Sequence, residues 1–141
     1  MNATHNLKEL KKLLQKIADM LTHTRETEEK LQHLIARNQT REIQSMDLYR
    51  RQLQEQMQQL EARRQQIVPA GTSIRTYIKE QADAREREEF LSLLEEIGSL
   101  VYQVQNHQEV NRSLLEERLR FSREMQELLL AGHHLDAVLD R

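Results

Sequence analysis

Histidine is the residue type in this chain best suited to metal binding, so its spacing bears first on possible chemistry. The six histidines are His5, His23, His33, His107, His133 and His134. None belongs to a His-Glu-x-x-His motif, and none follows a glutamate by three residues, as di-iron helical bundles require. Glu29 and His33 lie one helical turn apart and could form half of a metal site, but a solvated side-chain pair explains that spacing more simply. The sequence therefore predicts no bound metal.

Residues for covalent catalysis and phosphate binding are also missing. The chain has no cysteine, which excludes disulfides, thiolate zinc sites and cysteine nucleophiles. Its three glycines, Gly71, Gly98 and Gly132, are too far apart to form a glycine-rich phosphate loop. Glu116 and Glu117 are adjacent carboxylates, but nothing around them in the sequence would exclude water from an acid–base site. We therefore predict that the protein is not an enzyme and has no cofactor.

The charge balance disfavours nucleic acid and membranes as partners. Lys and Arg number 21 against 23 Asp and Glu, which gives a formal net charge of -2. The basic pairs Arg50-Arg51 and Arg63-Arg64 lie among Gln and Glu, as on a solvated helix face. No apolar run approaches the roughly 20 residues that span a bilayer, and residues 1–10 lack a signal-peptide pattern. These features predict a soluble, cytoplasmic protein.

Composition restricts the fold to helices. The 141 residues include only 3 Gly and 1 Pro, and aromatic residues make up 4%. A chain with so few turn-forming residues has few, long elements, and a β-sandwich or barrel would need many more β-branched and aromatic residues. We predict a single all-α domain, an elongated antiparallel helical bundle or coiled coil.

The apolar spacing and the breaks place the helices. We expect two long helices at residues 5–37 and 40–67, a short helix at 73–82 and a longer C-terminal helix at 83–131, followed by a tail at 132–141. Thr72 or Ser73 should cap the short helix, and Gly132 should end the long one. Arg50 and Arg64 lie on the apolar seam of the second helix, where their stems can cover the core while the guanidinium groups reach water. Short connections make consecutive long helices antiparallel, so the last helix should extend several turns beyond its neighbours.

The C-terminal part of the last helix is more apolar than packing in one bundle requires. Leu114, Phe121, Met125 and Leu128 form one row, Leu115, Leu119 and Leu129 form a second beside it, and Leu130 broadens the face. We predict that these two rows bind an amphipathic helix from a client protein. Self-association, or packing against the short helix and tail, is the alternative. Asn111 precedes the rows on the seam, where a polar side chain can fix helix register.

The chain resembles the FlgN family of flagellar export chaperones over residues 7–130. The resemblance rests on Leu-x-x-Leu steps and an acidic stretch at residues 26–29, on residues 60–64 of the second helix, on the capped segment at residues 72–78, and above all on Asn-Arg-x-Leu-Leu at residues 111–115. The chain departs from the family pattern in its short tail, which has no Tyr or Phe after Gly132.

The resemblance implies a cytoplasmic chaperone of the bacterial flagellar type III export system. Such a chaperone binds hook-filament junction (hook-associated) proteins through its C-terminal helix, prevents their premature assembly and delivers them to the export gate. The implied partners are these client proteins and an export-gate component, and a homodimer is also open. The alternative function is that of a structural or scaffold coiled-coil protein that self-associates.

Overall fold

Four helices make up the computed structural model, which describes the backbone of residues 3–139 and the side chains of residues 5–132. They are α1 (Ala3–Ala36), α2 (Thr40–Ile67), α3 (Ile74–Gln81) and α4 (Ala84–Leu139). The predicted all-α helical bundle is confirmed. No helix among the described residues combines the length and the apolarity needed to cross a membrane.

The breaks between the helices follow from local chemistry. Asn38 adopts a φ of 57° in the turn after α1, a left-handed conformation that asparagine tolerates better than most residues. Gly71 has a φ of 83° in the break after α2, where a Cβ atom would be strained. The Ser73 hydroxyl accepts a hydrogen bond at 3.1 Å from the backbone N–H of Thr76, which makes Ser73 the predicted N-cap of α3.

A capping box starts α4. The Asp83 carboxylate accepts a hydrogen bond at 2.9 Å from the backbone N–H of Glu86, and the Glu86 carboxylate reaches back to the backbone N–H of Asp83. The bond from the Glu86 backbone lowers the pKa of the Asp83 carboxyl, because a hydrogen bond to the ionised form favours it. The two residues together fix where the longest helix begins.

Helix α1 lies between α2 and α4. The Arg63–Glu9 and Arg50–Glu28 pairs show that α2 runs antiparallel to α1, because the residue numbers fall along one helix as they rise along the other. The Arg25–Gln103 hydrogen bond, with the Lys11–Glu89 pair, shows that α4 runs parallel to α1. Among the described residues, no Cα atom of α2 lies within 8 Å of a Cα atom of α4. The bundle is therefore open on one side.

The hydrophobic core lies at the end of the bundle where α1 begins. Its buried members are Leu7, Leu10, Leu13, Leu14, Ile17, Ala18 and Leu21 of α1, Ile67 and Val68 at the end of α2, Tyr77 and Ile78 of α3, Ala82, and Phe90, Leu100 and Val104 of α4. The spacing of three and four residues along α1 places these side chains on one face of the helix. Helix α2 contributes only its C-terminal end to this core.

The prediction that Gly132 ends α4 is wrong. The helix continues through Gly132 to Leu139, so the predicted tail is helical as far as the structure describes it. A single glycine costs a helix only about 1 kcal/mol, and the good helix formers around it outweigh that cost. The side chains of His133 and His134, and all of residues 140–141, lie outside the described residues.

Helix α4 extends beyond the rest of the bundle. The last cross-helix hydrogen bond joins the guanidinium of Arg118 to the hydroxyl of Thr40, at the turn between α1 and α2. Residues 119–139 continue past this turn for about 30 Å, at about 1.5 Å per residue. We call this segment the projection; it supplies the extension expected from the helix lengths.

Truncating a core leucine should affect folding far more than truncating a leucine of the projection. Leu10 is fully buried, and Leu10→Ala is expected to lower the free energy of unfolding by about 3 kcal/mol through lost burial and a residual cavity. Leu128 is exposed, so Leu128→Ala should change it by less than about 0.5 kcal/mol. Urea unfolding measures both values. An equal loss in the two variants would mean that the projection is packed in the free protein.

Candidate functional site

The projection exposes an unusual number of large apolar side chains. Phe121 is 65% exposed and Leu128 is 66% exposed, and the other exposed members are Leu119, Met125, Leu129 and Leu130. Leu114 and Leu115 differ, since they precede the projection and are half-buried. The predicted client-binding set therefore divides into two residues that belong partly to the bundle and five that are free on the projection.

One apolar row lies on the side of α4 that faces away from α2. Phe121 and Met125 follow Gln103 and His107 by 18 residues, which is about five turns, so each pair points the same way on a straight helix. Gln103 and His107 both contact polar side chains of α1 on the side away from α2. Leu128 completes this row, which we call the outer row.

The second row continues the surface that α4 buries in the bundle. Leu119 follows Val101 by 18 residues, and Val101 faces the space between α4 and α2. Leu129 follows Asn111 by the same interval, and Asn111 is buried against α1. The apolar face of the projection is thus centred on the direction in which α4 contacts α1, and is wider than one helix stripe.

Charged residues occupy the opposite side of the projection. Arg120, Arg123 and Glu127 share this side, and all three are exposed. The projection is therefore amphipathic, although no other helix of the described chain covers its apolar face. Apolar exposure of this kind marks an interaction surface more often than an ordinary helix face.

A buried polar layer joins the three long helices at one level of the bundle. The Glu28 carboxylate of α1 is 1% exposed. Its Oε1 accepts hydrogen bonds from Nε and Nη2 of Arg50 in α2, at 2.9 and 2.8 Å. Its Oε2 accepts a bond at 2.8 Å from Nδ2 of Asn111 in α4, which also donates to the backbone carbonyl of Glu28. One carboxylate thus holds α2 and α4 in register on α1.

Sequence reasoning found only part of this layer. It placed Asn111 on the seam in a register role, and the structure shows the hydrogen-bond partner that such a role needs. It expected the Arg50 guanidinium to reach water, whereas the guanidinium pairs with Glu28; Arg64 likewise pairs with Glu61. Each of Glu28, Arg50 and Asn111 interrupts an apolar seam in the sequence, but sequence reasoning did not connect the three interruptions to one another.

The open side of the bundle forms a cleft between α2 and α4, with α1 as its floor. The cleft has a volume of about 670 Å³. Its apolar lining includes Leu21, Leu53, Met57, Val101 and Val104, and its rims carry glutamine side chains from α2 and α4. The sequence did not predict this cleft, because a helical period shows which side of a helix is apolar but not how far apart two helices lie.

The possible half metal site at Glu29 and His33 is arranged differently. Glu29 instead contacts His107 of α4 at 3.5 Å and Arg25 of its own helix at 3.8 Å. Over the residues whose side chains are described, no cluster of three or more His, Asp or Glu could hold a metal ion. The Glu29 carboxylate thus makes an interhelical polar contact with His107 and not a metal site with His33.

Comparison with known proteins places the chain in a family without assigning an activity. A family model described as a protein of unknown function, DUF1722, matches residues 16–117, and the chain belongs to that family. The chain matches no curated protein and no solved structure. The matched segment contains the polar layer and the cleft, whereas Leu119, Phe121 and Leu128 lie beyond it.

The resemblance to the FlgN chaperones is therefore wrong. The matching family is DUF1722, and nothing in the comparisons points to a flagellar chaperone. The motifs behind the resemblance have structural explanations in this bundle. Ser73 caps α3, and Asn111 within Asn-Arg-x-Leu-Leu binds Glu28, so helix packing alone accounts for both. Such patterns recur wherever amphipathic helices pack side by side.

Removing Arg50 should destabilise the protein much more than removing its neighbour Arg51. Arg50→Ala leaves the buried Glu28 carboxylate without its cationic partner and is expected to cost about 2–3 kcal/mol in free energy of unfolding. Arg51→Ala removes only an exposed pair with Asp47 and should cost less than about 0.5 kcal/mol. Urea unfolding at an unchanged m-value measures the difference. Equal effects would show that the polar layer does not hold α2.

Proposed function

We propose that this member of the DUF1722 family is a non-catalytic binding protein that holds an amphipathic helix of a partner protein on its projection. The observation that carries the proposal is the apolar face formed by the outer row, Leu119 and Leu129, which no described residue covers. Binding buries this surface without making or breaking covalent bonds. The proposal includes the expectation that the protein acts in the cytoplasm, which cell fractionation tests.

The physical basis is the cost of leaving the projection bare. Each large apolar side chain gains roughly 1.5–3 kcal/mol when it moves from water into a packed interface. A single helix gains little stability by itself in water, because most helical stability comes from packing an amphipathic face. A partner helix would bury these apolar side chains and would also stabilise the projection as a helix. Along the projection it would take the position that α1 occupies in the bundle, beginning beyond the turn at Thr40.

Charge at the edge of the outer row specifies the partner further. Glu117 and Glu124 lie one turn before and one turn after Phe121, along the same border of the row, and both are exposed. A partner helix whose apolar stripe is bordered by Lys or Arg would complement these carboxylates. Like charges at the same border would disfavour acidic helices. The proposed partner is therefore an amphipathic helix with a basic edge.

Self-association is the second candidate function. The width of the apolar face favours it, since such a face could accept more than one helix and could include another copy of the same projection. A scaffold of this kind would form a stable oligomer without any other protein. Light scattering on the purified protein separates the two candidates, because a partner-binding module remains monomeric until the partner is added.

Site-specific photo-crosslinking in cells tests the proposed face directly. A photo-reactive amino acid at position 121 or 128 should capture a second protein, because both side chains lie on the outer row. The same group at position 123 or 127, on the polar side of the same helix, is the matched control and should capture none. Crosslinks to another copy of this chain would favour self-association. Equal crosslinking at all four positions would contradict a defined binding face.

Substitutions in the outer row should then separate binding from folding. Against the captured partner, Phe121→Ala and Leu128→Ala are each expected to weaken binding about ten-fold, measured by calorimetric titration, through lost apolar burial. Both side chains are exposed in the free protein, so neither change should lower the free energy of unfolding appreciably. Arg123→Ala is the control on the polar side. Equal losses in binding and stability would make these residues structural.

A further inference from the structure

The two halves of α2 are attached to the bundle very differently. Ile67, at the C-terminal end, belongs to the main hydrophobic core, and Met57 and Leu60 pack against that core. Between residues 40 and 53 only Leu53 is buried, and it lies outside that core. Leu48 is 63% exposed. Ile43 and Met46 of this half are only half-buried, so the N-terminal half of α2 gains less from apolar burial than its C-terminal end does.

Polar interactions hold this half in place. The Arg50 guanidinium binds the buried Glu28 carboxylate through two hydrogen bonds, and the Thr40 hydroxyl accepts a bond from Arg118 at the turn. Helix α4 gives no further support, because its backbone does not approach α2 among the described residues. The Arg50 side chain is 32% exposed, so water can replace its bonds as they break.

The polar layer is also not built for maximum stability. The Oδ1 atom of Asn111 is buried and has no hydrogen-bond partner, which leaves the layer incompletely satisfied. Replacing a buried ionic cluster by apolar residues of similar volume often stabilises a protein, since desolvation of the charges offsets their attraction. A layer of this kind provides register at the expense of stability. Such a layer is suited to a contact between helices that breaks and forms again.

We infer that residues 40–53 of α2 open from α1 as a local unit, with the Arg50–Glu28 pair as the latch. The core formed by α1, α3, α4 and the end of α2 stays folded during this opening, because its apolar contacts do not involve residues 40–53. In the open state Glu28 keeps its bonds to Asn111 and gains water in place of Arg50. Opening widens the cleft and uncovers apolar lining that includes Leu21 of its floor and Val104 of its α4 wall.

Hydrogen exchange of the full-length protein, followed by mass spectrometry, tests the inference without any partner. Backbone amides of residues 42–53 should exchange at least roughly 100-fold faster than those of residues 10–21 and 94–104, since local opening exposes the first segment alone. Equal protection in the three segments would overturn the inference, because it would show that α2 leaves the bundle only when the whole protein unfolds.

Two sets of substitutions test the latch: one weakens the Arg50–Glu28 pair, and the other makes the polar layer apolar. Arg50→Lys keeps the charge but loses the forked pair of bonds, and should speed exchange at residues 42–53 several-fold. The triple variant Glu28→Leu, Arg50→Met, Asn111→Leu makes the layer apolar and should slow exchange at residues 42–53 roughly ten-fold. Arg51→Lys is the matched control beside the latch and should leave exchange at residues 42–53 unchanged.

The opposite pattern would overturn the assignment of the latch. If Arg50→Lys left exchange at residues 42–53 unchanged, the Arg50–Glu28 pair would not hold this half of α2. If the triple variant failed to slow exchange at residues 42–53, the polar layer would not control the opening. Neither readout involves the projection, so failure of the partner-binding proposal would leave this inference standing, and the reverse also holds.

Discussion

The buried carboxylate of Glu28 fixes the geometry of the whole molecule. A charge that is 1% exposed needs compensation, and it draws Arg50 from α2 and Asn111 from α4 to the same level of α1. Once Asn111 is level with Glu28, the later residues of α4 are fixed as well. Arg118 reaches the turn at Thr40, and residues 119–139 continue beyond it. The position of the projection thus follows from a register that this polar interaction helps to set, about six turns after Phe90 in the seam of α4.

The sequence predicted the helices well because their signals are local. The lone proline, the αL residue at Asn38 and the cap at Ser73 act within a few residues, so a single chain displays them. The extension of α4 through Gly132 was not predictable in the same way. A glycine beyond an apolar run fits a helix end and a helix interior alike, and the choice depends on the summed preference of its neighbours.

The sequence predicted only part of the candidate site, for a different reason. Periodicity showed that residues 114–130 carry more apolar surface than one stripe, but not that Leu114 and Leu115 are half-buried while Phe121 is exposed. That distinction depends on the register between α1 and α4, which Glu28 and Asn111 set across more than 80 residues of sequence. The cleft likewise depends on the separation of α2 and α4. The family resemblance was mistaken because residues that serve helix packing were interpreted as markers of function.

Helix α4 is unbroken from the core to the end of the projection, so the resistance of the molecule to an applied force depends on the direction of that force. A load on Leu128 is carried through continuous backbone hydrogen bonds into the seam with α1. A force along the helix axis shears the seam between α4 and α1, and all the buried seam residues from Phe90 to Asn111 resist this force together. A sideways force makes the projection act as a lever about Arg118. The contacts between α4 and α1 then separate one after another, starting from the contacts nearest Arg118. The same attachment is therefore strong in tension and weak in peeling.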